Sequence, residues 1–309
     1  MRRNIMTQPF GIGLYILLGC IVGCSRDDSD RDTSAKKQAE PPVTIQAESN
    51  YCFLVAERDQ ISQISLTGEK EKFEDFASKI ECCGETVYLS RQGNLTALDL
   101  QGNQVSEIKR ADEIESQINF TAIPQGGFAF LDNRNDKVYF TDAQGHYAKA
   151  IAIKDSVDKH AQNMHGIVVG NRLIVSEDGD RQIVSIDLTT YQKTIFRSLP
   201  QLRSWLGAIA YHQGIYHICN PQEIYSFTED SQDITRIAKV PKKNITEIEV
   251  VDGKAYVIVN GPNKIEEENG KRILVPTGAL YEVDLKTGNV RVIKDELFKP
   301  NDLAIIPKT

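Results

Sequence analysis

Seven side chains that could form a ligand site occupy equivalent positions in a series of sequence repeats. Each lies near the start of the first strand of its repeat, so a closed ring of repeats would bring all seven together. They are Lys79, Asn119, His165, Trp205, Glu247, Asn301 and Asp302. Charged, amide and imidazole groups in one ring could bind a polar ligand. In an alternative interpretation the ring is an ordinary polar channel, in which Lys79 pairs with Glu247 or Asp302 and Trp205 is structural.

Common catalytic and nucleic-acid-binding signatures are absent from the sequence. It contains no Gly-x-Ser-x-Gly elbow, His-Glu-x-x-His helix, Cys-x-x-Cys pair or phosphate-binding glycine loop. The net charge is -7, and no basic stripe with interleaved aromatic residues is present. A phosphate backbone would be repelled by such a surface, so we expect no nucleic-acid partner.

The candidate residues are positioned by repeats of four short β-strands. The clearest repeat spans residues 164–196, where apolar or alternating runs end at turns rich in Gly, Asn, Asp and Thr. One such meander cannot bury both of its faces, so it must stack on copies of itself. Four further copies are predicted at residues 76–109, 117–153, 205–240 and 245–293, the last with a polar insertion at 261–277.

A sixth repeat is predicted from the two ends of the folded region. Residues 301–306 supply one strand, and residues 51–73 supply three strands without an inner one. Pairing these ends closes the ring and removes open sheet edges, which otherwise invite aggregation. The prediction is therefore an all-β fold, a six-bladed β-propeller over residues 51–309 with one blade closed by the N- and C-terminal strands.

The N-terminus is predicted to be a lipoprotein signal peptide, residues 1–23. An apolar segment at 10–22 follows two arginines and is shorter than the about 20 residues that a membrane span needs. Residues 21–24, Ile-Val-Gly-Cys, resemble the lipobox of bacterial lipoproteins, in which the cysteine becomes the lipidated first residue. We prefer Cys24 because a polar run follows it; Cys20 is the alternative, and an ordinary signal peptide or uncleaved anchor is another.

Two further expectations follow for the mature chain. Residues 24–50 are charged and carry few apolar residues, so we expect a disordered tether between the lipid and the propeller. This predicts a bacterial cell-envelope location: the outer membrane or periplasmic face in a diderm, and the cell surface otherwise. Cys52, Cys82, Cys83 and Cys219 lie in the folded region. Disulfides, for example between Cys52 and Cys82 or Cys83, and buried thiols are both open interpretations.

The repeats resemble six-bladed propellers of the NHL-repeat and gluconolactonase (senescence-marker protein)-like superfamily. Residues 132–146 and 177–190 look like its strand-turn-strand pattern, and the segment KPNDLAI at 299–305 is similar to its Pro-Asn-Gly-Leu segment. The resemblance implies a divalent cation, Ca²⁺ or Zn²⁺, held by Glu247, Asn301 and Asp302, with Asn119 and His165 as further ligands. It also implies hydrolysis of a lactone or ester, with His165 or Asp302 as the base.

Two functions are compatible with these observations. The first is a monomeric, lipid-anchored propeller that binds a protein or small-molecule ligand at its channel mouth or polar insertion without catalysis. The second is a metal-dependent lactonase or esterase of the gluconolactonase type. The first is our preferred hypothesis, because Lys79 would place a positive charge where the resemblance implies a metal.

Overall fold

The protein folds as a six-bladed β-propeller, as the sequence predicts. The computed structural model describes residues 50–91, 94–109, 114, 119–154, 164–202, 205–268 and 271–308. Within these ranges every regular element is a β-strand, and the strands form six four-stranded antiparallel sheets and one small hairpin. The structure therefore confirms the all-β fold and the number of blades.

The strands follow the repeats in chain order. The chain begins with β1 (Tyr51–Ala56), β2 (Gln60–Ile64) and β3 (Lys70–Asp75). The first blade contains β4 (Lys79–Cys83), β5 (Thr86–Arg91), β6 (Asn94–Leu98) and β7 (Gln104–Ile108). The second contains β8 (Asn119–Ala122), β9 (Phe128–Asp132), β10 (Lys137–Thr141) and β11 (Tyr147–Ala152). The third contains β12 (Met164–Val169), β13 (Arg172–Glu177), β14 (Gln182–Asp187) and β15 (Lys193–Ser198).

The second half of the ring is built in the same way. The fourth blade contains β16 (Ile209–His212), β17 (Ile215–Cys219), β18 (Glu223–Thr228) and β19 (Thr235–Lys239). The fifth contains β20 (Ile245–Val251), β21 (Lys254–Val259), β24 (Gly278–Asp284) and β25 (Val290–Leu297). Its polar insertion folds into a hairpin of β22 (Lys264–Glu268) and β23 (Lys271–Val275). The chain ends with β26 (Asp302–Pro307).

The sixth blade joins the two ends of the folded chain. Its strand order is β26, β1, β2, β3, and β26 pairs antiparallel with β1 from Tyr51↔Pro307 to Ala56↔Asp302. Each inner strand thus gains neighbours on both sides in the ring order β4, β8, β12, β16, β20, β26 and back to β4. This pairing confirms the predicted closing blade, and it places the first residue of β26 on the channel.

The hydrophobic core lies between adjacent blades. Between the closing blade and the first blade, Leu54, Ala56, Ile80 and Leu89 are at most 4% exposed. Burying a side chain of Leu or Ile size stabilises a fold by about 1.5–3 kcal/mol. Because strand side chains alternate between faces, each sheet supplies apolar groups to both neighbours, and the channel-facing positions remain for polar residues.

Recurring aspartates at the ends of the third strands explain the repeat signature. The carboxylate of each accepts backbone N–H bonds from residues two to four positions later. They are Asp99, Asp142, Asp187 and Asp284. Such turns need a short acceptor side chain at a fixed position, so this part of the signature reports folding and not ligand binding.

The predicted leader, tether and lipidation residues lie outside the described residues. These are the signal peptide at 1–23, Cys20, Cys24, and all of the 24–50 tether except Asn50. No helix long and apolar enough for a membrane span occurs in the part of the chain that the structure describes. The structure shows all four remaining cysteines as free thiols; Cys52 and Cys219 are buried, as in the second interpretation, whereas Cys82 and Cys83 are only half-buried.

Candidate functional site

A cavity of about 300 Å³ occupies the central channel and is bounded by all six inner strands. Five of the seven residues singled out in the sequence line it: Lys79, Asn119, His165, Glu247 and Asp302. Asn301 and Trp205 are not among the lining residues. The ring of first strands therefore gathers most of the predicted set, as its equivalent positions suggest, although two members are used elsewhere.

An ion network centred on Lys79 crosses the channel. The Lys79 Nζ atom lies 3.1 Å from Asp302 Oδ1 on the neighbouring β26 and 3.5 Å from Glu247 Oε2 on β20. The Nδ1 atom of His165, on β12, lies 3.4 Å from the same Glu247 oxygen. The ammonium thus bridges two carboxylates whose side chains are 5% and 15% exposed. This pairing is the arrangement expected in the polar-channel interpretation.

Backbone groups fix both carboxylates in place. Asp302 Oδ2 accepts the N–H of Ile80 at 2.5 Å, and Glu247 Oε1 accepts the N–H of Ile248 at 3.1 Å. The first bond links β26 to β4, so it connects the closing blade to the first blade. With one oxygen bound to the backbone and the other to Lys79, each carboxylate has a single orientation.

The electrostatics of the network depend on the balance between burial and charge. Burial disfavours the ammonium of Lys79, but attraction to Asp302 and Glu247 outweighs it and raises the pKa of Lys79. Burial also opposes ionisation of Glu247, yet Lys79 and His165 lower the pKa of Glu247 to about 2. Burial and the charge of Glu247 raise the pKa of Asp302 to about 7, against the pull of Lys79. Lys79 and Glu247 are therefore the firmly ionised pair.

A second pair of acids lies one layer further along the same strands. Glu81 and Glu249 line the cavity two residues after Lys79 and Glu247. Thr121 Oγ1 donates a hydrogen bond to Glu81 Oε1 at 3.1 Å. Burial, which is the largest cause, raises the pKa of Glu81 to about 8 and that of Glu249 well above its usual range. Neither acid is among the seven residues predicted from the sequence, although the period-two alternation of a strand places both on the same face as Lys79 and Glu247.

The amides of the predicted set connect neighbouring strands. Asn119 Nδ2 donates to the carbonyl of Met164 at 2.7 Å, and Asn301 Nδ2 donates to the carbonyl of Ser78 at 2.9 Å. The Oδ1 atom of Asn301 is buried and has no hydrogen-bond partner. Trp205 is half-buried and lies four residues before β16. Asn119 and Asn301 therefore tie neighbouring parts of the ring together, and of these three side chains only Asn119 lines the cavity.

The residues present do not fit the divalent cation that the resemblance implies. Its three proposed ligands were Glu247, Asn301 and Asp302, but Lys79 Nζ already lies between the two carboxylates, within 3.5 Å of both. A divalent ion at this position would meet the ammonium charge at close range, which is unfavourable. No group of three or more His, Cys, Asp or Glu side chains arranged to hold a metal occurs among the described residues.

The cavity has polar and apolar parts. Exposed lining residues, Pro124 and Tyr211, lie at or beyond the C-terminal ends of β8 and β16, so the cavity opens on that side of the ring. Ile167 and Val168 of β12 continue the apolar lining inwards. The ion network lies at the other end of the cavity, at the start of the inner strands. A ligand entering from the open side would meet Tyr211 first, then the acid pair, and the Lys79 network last.

Comparison with known proteins supports the fold and leaves the function open. No protein-family model matches the sequence, and no curated protein is similar to it in sequence. Solved structures do match. A chain of a nidogen/laminin complex aligns with a TM-score of 0.64 at 10% identity, covering 84% of this chain and 99% of that one.

Two bacterial propellers align over the same extent. Periplasmic gluconolactonase PpgL from Pseudomonas aeruginosa has a TM-score of 0.55 at 10% identity, and a putative TolB from Agrobacterium tumefaciens has 0.56 at 12% identity. Each alignment covers 84% of this chain and 99% of the other. At such low identity the likeness shows the six-bladed architecture alone.

Proposed function

We propose that this chain is a ligand-binding propeller of the bacterial cell envelope, anchored by lipid at Cys24, and that its channel does not catalyse metal-assisted hydrolysis. We place it in the NHL-repeat and gluconolactonase-like superfamily as a monomeric binding member. The observation that carries the proposal is that Lys79 bridges Glu247 and Asp302, two of the three residues expected to hold a metal.

The shape of the cavity supports binding. Its volume of about 300 Å³ is at the lower end of the range of small-molecule sites. Such sites combine apolar walls with a few fixed polar groups. Here Ile167 and Tyr211 form part of the apolar wall, and the carboxyl groups of Glu247 and Asp302, which are hydrogen-bonded to the backbone, are the fixed polar groups. The envelope location is supported by the predicted leader and by the fold likeness to a propeller described as periplasmic.

Metal content and lactone turnover test the non-catalytic assignment. Protein incubated with Ca²⁺ or Zn²⁺ and then desalted is expected to retain no stoichiometric metal, because the Lys79 ammonium already contacts both carboxyl groups and would repel a metal ion there. The same samples are expected to leave a panel of lactones unhydrolysed, with a metal-dependent lactonase as positive control. A stoichiometric metal together with turnover would overturn the proposal and establish the lactonase alternative.

Membrane fractionation tests the anchor. The Cys24→Ser variant is expected to move from the membrane to the soluble fraction, because the lipidated thiol is lost, while Cys20→Ser remains membrane-bound. Release by Cys20→Ser alone would transfer the anchor to Cys20. If the variant lacking both cysteines stayed on the membrane, the lipid anchor itself would be wrong.

A further inference from the structure

Glu81 and Glu249 face the cavity without a cationic partner in the described part of the chain. Glu81 has Thr121 as its hydrogen-bond donor, and Lys79 is already bound to Asp302 and Glu247. Glu249 is half-buried and lines the cavity, and its carboxyl makes no hydrogen bond or ion pair within the described residues. Two carboxyl groups that face one cavity and have no ion pair of their own are available to a positively charged group of a ligand, which would form charge-assisted hydrogen bonds with them.

The charge of the cavity wall also indicates a cation. The lining includes four carboxyl groups, of Glu81, Glu247, Glu249 and Asp302, and the basic side chains of Lys79 and His165. In the ion network Lys79 contacts Glu247 and Asp302, and His165 contacts Glu247. The remaining two acids belong to β4 and β20, which flank β26 on either side. A single positive group between these strands would face both acids at once.

The opposite wall is apolar. In the ring order β12 lies across the channel from β26, and it contributes Ile167 to the lining. Tyr211, at 40% exposure, lies near the open side. An aromatic ring near the entrance can contact both a cation and an apolar group. The cavity therefore combines an acidic wall with an apolar one, which suits a ligand that has a positive group and an apolar body.

We propose that the cavity binds a small organic cation, a primary ammonium on an apolar body, with the ammonium between Glu81 and Glu249 and the body against Ile167 and Tyr211. This inference rests on the proposed binding function and specifies its ligand class. Three N–H donors on an ammonium allow it to serve both carboxylates and the Thr121 hydroxyl. The ammonium also supplies the opposite charge that would favour ionisation of the buried acids.

Titration calorimetry with three probes of similar shape tests the proposal. The probes are phenethylammonium, the neutral phenylethanol and the anionic phenylpropionate. Phenethylammonium alone is expected to bind the full-length protein. The Glu249→Gln variant is expected to weaken its binding by about tenfold or more, because a charge-assisted contact becomes a neutral one. Glu81→Gln is expected to act in the same direction.

Two matched variants separate the binding role from general effects. Glu85→Gln removes a carboxylate from the exposed β4–β5 turn, outside the cavity lining, and is expected to leave the affinity unchanged. Tyr211→Ala is expected to weaken phenethylammonium binding by reducing the apolar contact, without making phenylethanol or phenylpropionate bind. Thermal unfolding of each variant checks that the fold is retained.

The possible outcomes distinguish the inference from the function on which it rests. If phenylethanol or phenylpropionate binds with Tyr211 dependence and phenethylammonium does not, the cation proposal is overturned and the binding function remains. If phenethylammonium binds equally to wild type, Glu81→Gln and Glu249→Gln, the assigned acids are wrong. If none of the three probes binds, the cation proposal is overturned, and the binding function then depends on the metal and lactone tests above.

Discussion

Replacing Lys79 with methionine is expected to destabilise the propeller by about 3–5 kcal/mol near neutral pH. Methionine keeps the length and apolar stem of the side chain but removes the ammonium. The carboxylate of Glu247 would then lie in the channel without its counter-charge, and so would that of Asp302 in the fraction of molecules in which it is ionised. Removing one member of a buried ion network leaves an uncompensated charge, which costs more than losing an exposed pair.

Urea unfolding of matched variants measures this effect. Lys72→Met removes a lysine whose partner, Asp75, is on the surface, and it is expected to change stability far less. The combined variant Lys79→Met, Glu247→Gln, Asp302→Asn is expected to recover much of the loss, because all three charges are gone. If Lys79→Met were as stable as Lys72→Met, the bridge between the carboxylates would not exist as described.

The free energy of unfolding of the propeller is expected to fall as the pH rises from about 5 to about 9, because the pKa of Glu81 is raised in the folded state. Burial raises the pKa of Glu81 from 4.5 to about 8, so the folded state keeps a proton that the unfolded state has already released. The stabilising contribution is therefore complete below the unfolded value and is lost as the pH passes through about 8. Each pKa unit corresponds to about 1.4 kcal/mol, so a few kcal/mol are involved.

The Glu81→Gln variant should flatten this dependence. Glutamine is the neutral counterpart of the protonated acid, so stability near pH 5 is expected to change little, while stability at alkaline pH should rise above that of the wild type. The contributions of Asp302, whose pKa is raised to about 7, and of Glu249, whose pKa is also raised, are lost in the same direction, so Glu81→Gln is expected to reduce the slope and not to abolish it. Glu247 contributes only in strong acid, since its pKa is lowered to about 2. Glu85→Gln is the control. A parallel pH dependence in wild type and Glu81→Gln would show that Glu81 ionises normally.

The sequence was sufficient to predict the architecture because each blade repeats a local pattern. Period-two alternation and turns such as those at Asp187 and Asp284 determine where strands begin and end, without long-range information. The closing blade could be predicted because neither end of the folded region supplies four strands: three lie near Tyr51 and one lies near Asp302. Because unpaired edge strands are unfavourable, the three strands at one end were expected to pair with the single strand at the other.

The chemistry of the channel was harder to predict because it depends on distances between blades. The residue types at Glu247, Asn301 and Asp302 suggested metal ligands. In the folded ring, however, the Lys79 side chain on β4 contacts Asp302 on β26 and Glu247 on β20, and no local sequence pattern predicts contacts between different blades. The role of Asn301 as a donor to Ser78 likewise requires the assembled ring. Glu81 and Glu249 were overlooked because only the first residues of the inner strands were compared.

A crystal structure of the protein grown with Ca²⁺ tests the central claim most directly. The Lys79 ammonium is expected to lie between Glu247 and Asp302 in the electron density, with no metal ion bound to either carboxylate. Density for a cation coordinated by Glu247, Asn301 and Asp302, with Lys79 turned away, would contradict it.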